Sequence, residues 1–195
     1  MKKILLLSSA TFCSILFLKA QQTHFGIKAG LNMATVNYDD IEDYDSKAGL
    51  HAGILAHIHI SNHFAVQPEL VYSMQGGKGT DHKLQTSYLN LPVLAQYMFS
   101  NGFRLQTGPQ LGVLLNAERK ANNGVEVDVN DRLKTVDFAW TLGGGYLFPV
   151  GIGIDARYNL GLSNINEPSE LIKGQNRVFQ VGLFYQFMHQ QAKKK

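Results

Sequence analysis

Cysteine is almost missing from this chain: among 195 residues only Cys13 carries a thiol. A disulfide framework, a zinc–thiolate centre and a cysteine nucleophile are therefore excluded for everything beyond it. Charge is scarce too, at 17% of residues, where an average soluble domain has roughly 25%. No apolar run reaches the roughly 20 residues a membrane-spanning helix needs; the longest covers residues 4–18. Neither sign of charge is in excess once the start is set aside. Without Lys2, Lys3 and Lys19 the basic and acidic residues number 15 each, so nucleic acid is not an expected partner.

The start reads as an address. Met1, Lys2 and Lys3 form a basic lead, residues 4–18 an apolar stretch, and Leu18, Lys19 and Ala20 a cleavage site. Residues 1–20 are thus expected to be a signal peptide and residues 21–195 a single mature domain. Phe12, before Cys13, is not the small residue a lipoprotein signal wants.

From Thr23 onward the sequence alternates with a period of two, the mark of strands with one apolar and one polar face. Phe25, Ile27, Ala29, Leu31 and Met33 share a face against Gly26, Lys28, Gly30 and Asn32. Seven further segments repeat the pattern, the last setting Phe179, Val181, Leu183, Tyr185 and Phe187 against Gln180, Gly182 and Gln186. Three connections are tight (residues 61–63, 100–102 and 149–151) and four are long and polar (37–47, 76–86, 116–134 and 164–176). Eight antiparallel strands with short turns at one end and long loops at the other describe an all-β, up-and-down transmembrane barrel of the bacterial outer membrane.

A lipocalin-like soluble barrel has the same strand count with the apolar face inward, so face composition must decide. The polar face here carries glycine, glutamine, asparagine and histidine instead of many lysines and glutamates. That suits a crowded interior, where missing side chains leave room for large ones. Phe64, Phe99, Phe103 and Phe148 flank the short turns on the apolar face, as an interfacial aromatic girdle does. Pro68, Pro92 and Pro109 interrupt the pattern and are expected at bulges.

Four stretches resemble the PorT-like outer-membrane β-barrel family: Tyr88-Leu89-Asn90-Leu91-Pro92-Val93-Leu94, Gly108-Pro109-Gln110-Leu111-Gly112, Gly143-Gly144-Gly145-Tyr146, and residues 155–162. The resemblance covers essentially the whole mature chain and implies an outer-membrane barrel. Tyr185-Gln186-Phe187 looks like the terminal aromatic signal read by the barrel-assembly machinery, an implied partner during biogenesis; residues 188–195 depart from that pattern.

Chemistry-bearing residues are few. Lys28, Glu69, Arg104, Asp137, Asp155 and Arg157 share the inward parity and balance three against three, as buried charges must. They are expected to form a lumen charge network. His51, His57 and His59 also point inward; with no cysteine or matched carboxylate, packing is favoured over a metal centre. Asp39, Asp40, Glu42, Asp43 and Asp45 make the first long loop a candidate weak cation-binding loop, without the ligand order of an EF-hand. No nucleotide loop and no hydrolase motif is present, and no cofactor is expected. The reading is a small, non-enzymatic outer-membrane barrel with a filled lumen, outer-membrane lipid around it, and loops that form a structural, adhesive or partner-docking surface for an unidentified protein. The alternatives are a membrane enzyme acting on lipid or peptide, and a small-solute channel.

Overall fold

The computed structural model describes residues 23–38, 45–80, 82–122, 124–167 and 173–187. The expected signal peptide, most of the acidic loop (Asp39, Asp40, Glu42, Asp43) and residues 188–195 lie outside the described residues. Nine strands follow one another: β1 (Thr23–Tyr38), β2 (Asp45–His59), β3 (Phe64–Lys78), β4 (His82–Met98), β5 (Phe103–Ala121), β6 (Glu126–Asp128), β7 (Val136–Leu147), β8 (Ile152–Gly161) and β9 (Gly174–Gln186). The sheet order is β4-β3-β2-β1-β9-β8-β7-β5-β6, and β4 also pairs with β5. Eight long antiparallel strands therefore close on themselves, and β6 is an appendage of β5.

Lipid sets the faces. Phe25, Leu31, Leu142 and Leu183 are 60–64% exposed, while Lys28, Asn32, Glu69, Gln96, Arg104, Thr141 and Arg157 are buried. The barrel is inside-out relative to a soluble one, as expected when hydrocarbon replaces water outside. Around the short turns the aromatics touch in sequence: Phe64 with Tyr97 at 5.1 Å, Tyr97 with Phe99 at 4.9 Å, Phe99 with Phe103 at 5.7 Å, and Tyr146 with Phe148 at 4.9 Å. Tyrosine joins phenylalanine there because its ring is apolar and its hydroxyl can reach water.

Two expectations change. The prolines are not at bulges. Pairing steps over them and resumes in the same register: Leu55–Glu69 to Ile58–Val66 past Pro68, Pro68–Val93 to Val71–Asn90 past Pro92, and Pro92–Gln110 to Ala95–Thr107 past Pro109. A one-residue slip at any of these would turn every polar side chain beyond it into lipid, so a short gap in the ladder is the cheaper accommodation. The register shifts that do occur, between Ser46 and His51 and between Ser87 and Tyr88, lie toward the long-loop end.

The second change concerns the loops. β3 and β4 pair out to Lys78 and Lys83, and β5 runs to Ala121, so much of what reads as loop is strand. Alternation is clearest where the outer face meets lipid; above the membrane that face is wet and the pattern weakens.

Leu142, outward and 64% exposed in β7, tests the lipid face. Leu142→Arg should destabilise the barrel by about 2–4 kcal/mol, the mid-bilayer penalty for a cation, measured by reversible unfolding from lipid vesicles. A cost near zero would mean that this face does not contact hydrocarbon.

Candidate functional site

The lumen holds the chain's unusual chemistry. Glu69 on β3 and Arg157 on β8 face each other from opposite walls, because β3 and β8 stand four places apart in a ring of eight. The guanidinium reaches across: Arg157 Nη1 donates to Glu69 Oε2 and Nη2 to Oε1, both at 2.7 Å. This two-pronged geometry is the strongest arrangement open to an arginine and a carboxylate. Lys28 on β1 adds Nζ contacts of 3.1 Å to Asp155 Oδ2 and 3.5 Å to Glu69 Oε2. Arg157 Nε lies 2.6 Å from Asp155 Oδ2 as an ion-pair contact. Two cations and two anions thus form a neutral crossbar spanning the barrel.

Glycines frame it. At Gly53 and Gly143 a Cβ would fall 2.3 and 2.4 Å from a carbonyl oxygen of the neighbouring strand. Their absence of a side chain therefore serves the tight curvature of the wall as well as the room inside. At Gly153 the requirement is of the second kind, since a Cβ would meet the Phe184 ring at 2.1 Å.

Toward the long loops the polar filling continues. Asn32 donates through Nδ2 to Ser73 Oγ at 3.0 Å and to Met74 O at 2.9 Å. Its Oδ1 accepts from Gln180 at 3.0 Å and lies 2.8 Å from His51 Nδ1, so the proton of a neutral His51 sits on Nδ1. Thr141 donates to Asn159 at 2.8 Å. Asp137 stands apart from the crossbar, accepting from Ser163 at 2.6 Å and Asn176 at 2.8 Å. Arg104 also stands apart, at the short-turn end, with its Cζ 5.3 Å from the centre of the Phe184 ring. The six inward charges are therefore one tetrad and two separate residues. Parity alone could not separate them, because it gives a face and no height along the barrel.

An apolar cap above this filling was not legible as such. Val129, Leu133 and Ile165, from the two loops after β5 and β8, pack with Val36, Leu84 and Ala117 from the wall. Backbone bonds seat it: Val129 N–H to Ala117 O at 3.0 Å, Lys134 N–H to Ile165 O at 2.7 Å, and Glu167 N–H to Arg132 O at 2.9 Å. The signal was present in Val125-Glu126-Val127-Asp128-Val129, an alternation within residues otherwise read as a polar loop. Asp45, the described member of the acidic set, opens β2 opposite Lys78. His57 and His59 contact edge to face at 4.6 Å, and His59 meets His24, absent from the sequence-derived set, at 5.4 Å.

A family model described as "Outer membrane protein beta-barrel domain" matches residues 19–167. The fold is similar to that of Neisserial surface protein A, with a TM-score of 0.62 at 14% identity, covering 86% of this chain and 100% of that one. It is also similar to Ail, the attachment invasion locus protein of Yersinia pestis, with a TM-score of 0.55 at 13% identity over 86% and 100% of the two chains. Among curated protein sequences none is a match.

The crossbar makes a sharp stability prediction. Arg157→Ala leaves Glu69 with Lys28 as its one cation and Gln67 as a neutral donor, and should destabilise the barrel by about 3–5 kcal/mol, the cost of breaking a buried pair. Removing both members, as Arg157→Met with Glu69→Leu, should cost less than Arg157→Ala alone. Urea unfolding in lipid of the wild type, Arg157→Ala, Arg157→Met, Glu69→Leu and the double variant checks both, and additive losses in the last three would mean that the two side chains do not interact.

Proposed function

The chain belongs to the outer membrane protein beta-barrel family, and from that premise we propose that it is a closed barrel of the bacterial outer membrane whose working surface is its long-loop end. The observation that carries this reading is the Arg157–Glu69 crossbar, a neutral, hydrogen-bonded barrier across the lumen. The apolar cap of Val129, Leu133 and Ile165 adds a second barrier at the long-loop end. A channel would need a continuous polar path past both. Ser73, inside the lumen, is no candidate nucleophile for the enzymatic alternative. It is fully buried, and its hydroxyl accepts from Asn32 and Gln75 at 3.0 and 3.1 Å, where neither lipid nor peptide has access.

What the loops offer is a paired hairpin. The hairpin of β5 and β6 is paired from Glu118–Asp128 to Lys120–Glu126, and Lys120 and Glu126 form an ion pair at its tip. It exposes the Val125 and Val127 side chains at 53% and 50%. An exposed valine on a short strand at the end of a sheet, with a second just before that strand, suits the docking of a partner protein's extended segment or of a surface ligand. Short turns face the periplasm in such barrels, so this hairpin faces outward. The terminal Tyr185, Gln186 and Phe187 would serve recognition by the assembly machinery.

Purified barrel in planar bilayers should show no steady conductance. Reproducible single-channel steps that change when Glu69 or Arg157 is substituted would overturn the closed-barrel reading. On intact cells, added protease should cut first near the hairpin tip between Ala121 and Glu126; cleavage confined to the short turns would invert the topology.

A further inference from the structure

The short-turn end of the lumen is built differently from the rest. Below the crossbar the barrel opens into a cavity of about 360 Å³, lined by His24, His57, His59, Arg104 and Gln186 with residues of the turns. Arg104 is only 4% exposed, yet its Nε and Nη1 have no hydrogen-bond acceptor among the described residues. Phe184 holds the guanidinium by a cation–π contact at 5.3 Å and supplies no lone pair. Among the described residues, the side-chain nitrogen of Gln186, 3% exposed, has no acceptor and His24 Nδ1 has no partner. Among the described residues that line the cavity there is no aspartate or glutamate. The lumen's carboxylates are committed elsewhere, Glu69 and Asp155 to the crossbar and Asp137 to Ser163 and Asn176.

Asp155 acts on Arg104 only at longer range and is already shared with Lys28 and Arg157; a buried guanidinium without a countercharge of its own is costly, and its planar fork matches the oxygens of a carboxylate or phosphate. We propose that this cavity is an anion site, taking one oxyanion group, phosphate or carboxylate, from the short-turn side. Arg104 grips the oxyanion and the Gln186 amide adds a donor. Three imidazoles nearby do not make this a metal site, because Arg104 opposes a cation in the same cavity. His57 Nδ1 is in addition taken up by Gln67 Oε1 at 3.1 Å; Gln67 is oriented by donating to Glu69 Oε1 at 2.7 Å. The crossbar closes the far side, so the anion enters and leaves by one mouth. The site binds; it does not conduct.

The test uses the folded chain in dodecyl maltoside micelles, which contain neither phosphate nor carboxylate. Inorganic phosphate is titrated at constant ionic strength, with acetate in a parallel series. The side-chain Nε–H resonance of Arg104 in the wild-type protein should shift saturably, with one phosphate bound per barrel by calorimetry. Arg104→Gln, shown folded by heat-modifiable migration, should weaken binding at least tenfold, while Arg132→Gln on the exposed loop should leave it unchanged. Phosphatidylglycerol added to the micelles distinguishes the source of the group. Displacement of inorganic phosphate assigns the site to a lipid headgroup, and persistence assigns it to a free solute. An Arg104 resonance that does not respond, or binding that survives Arg104→Gln, would overturn the proposal.

Discussion

A barrel of eight strands has an interior that side chains must fill, and any charge placed there has to find its opposite inside the same narrow space. The Arg157–Glu69 pair meets this constraint by reaching from one wall to the other, with Lys28 and Asp155 completing neutrality. Much of the surrounding composition follows from it. Long polar side chains at the centre require glycines on the strands they cross, and those same glycines let the wall bend tightly. The outer face is then free to be wholly apolar, because the polar groups are satisfied within.

How far this was legible depends on whether a feature leaves a mark on one residue in two. The strands, their inward and outward faces and the aromatic belt all do, since lipid on one side and packed polar groups on the other impose opposite demands on neighbours in sequence. Asn32, Glu69, Gln96 and Arg157 were placed inward by parity and are buried. Heights along the barrel leave no such mark. Only the register of paired strands brings Glu69 level with Arg157 and leaves Asp137 and Arg104 at opposite ends. Proline was misread for a related reason: in a soluble sheet a bulge is a mild defect, but in a lipid-facing wall a slip inverts the faces, so the ladder skips and keeps its register.

The long-loop end was the least legible region. Water replaces lipid on the outer face of the strands there, and Glu118, Arg119 and Lys120 continue β5 without the apolar alternation seen lower down. The cap draws Val129, Leu133 and Ile165 from separate loops, and nothing local shows that Ile165 and Val129 will meet. Apolar residues spaced within polar loops are the trace such a cap leaves.

The crossbar also bears on time. Its two ends are 88 residues apart in sequence and lie on opposite walls, so the pair forms only after the strands that link those walls have assembled. Interactions that arrive so late are absent from the transition state for folding; they do little to hasten assembly and act almost entirely by slowing the reverse process. Once inserted, the barrel is held by a bond that must break before the wall can open, and its persistence in the membrane is set by an unfolding rate as much as by an equilibrium.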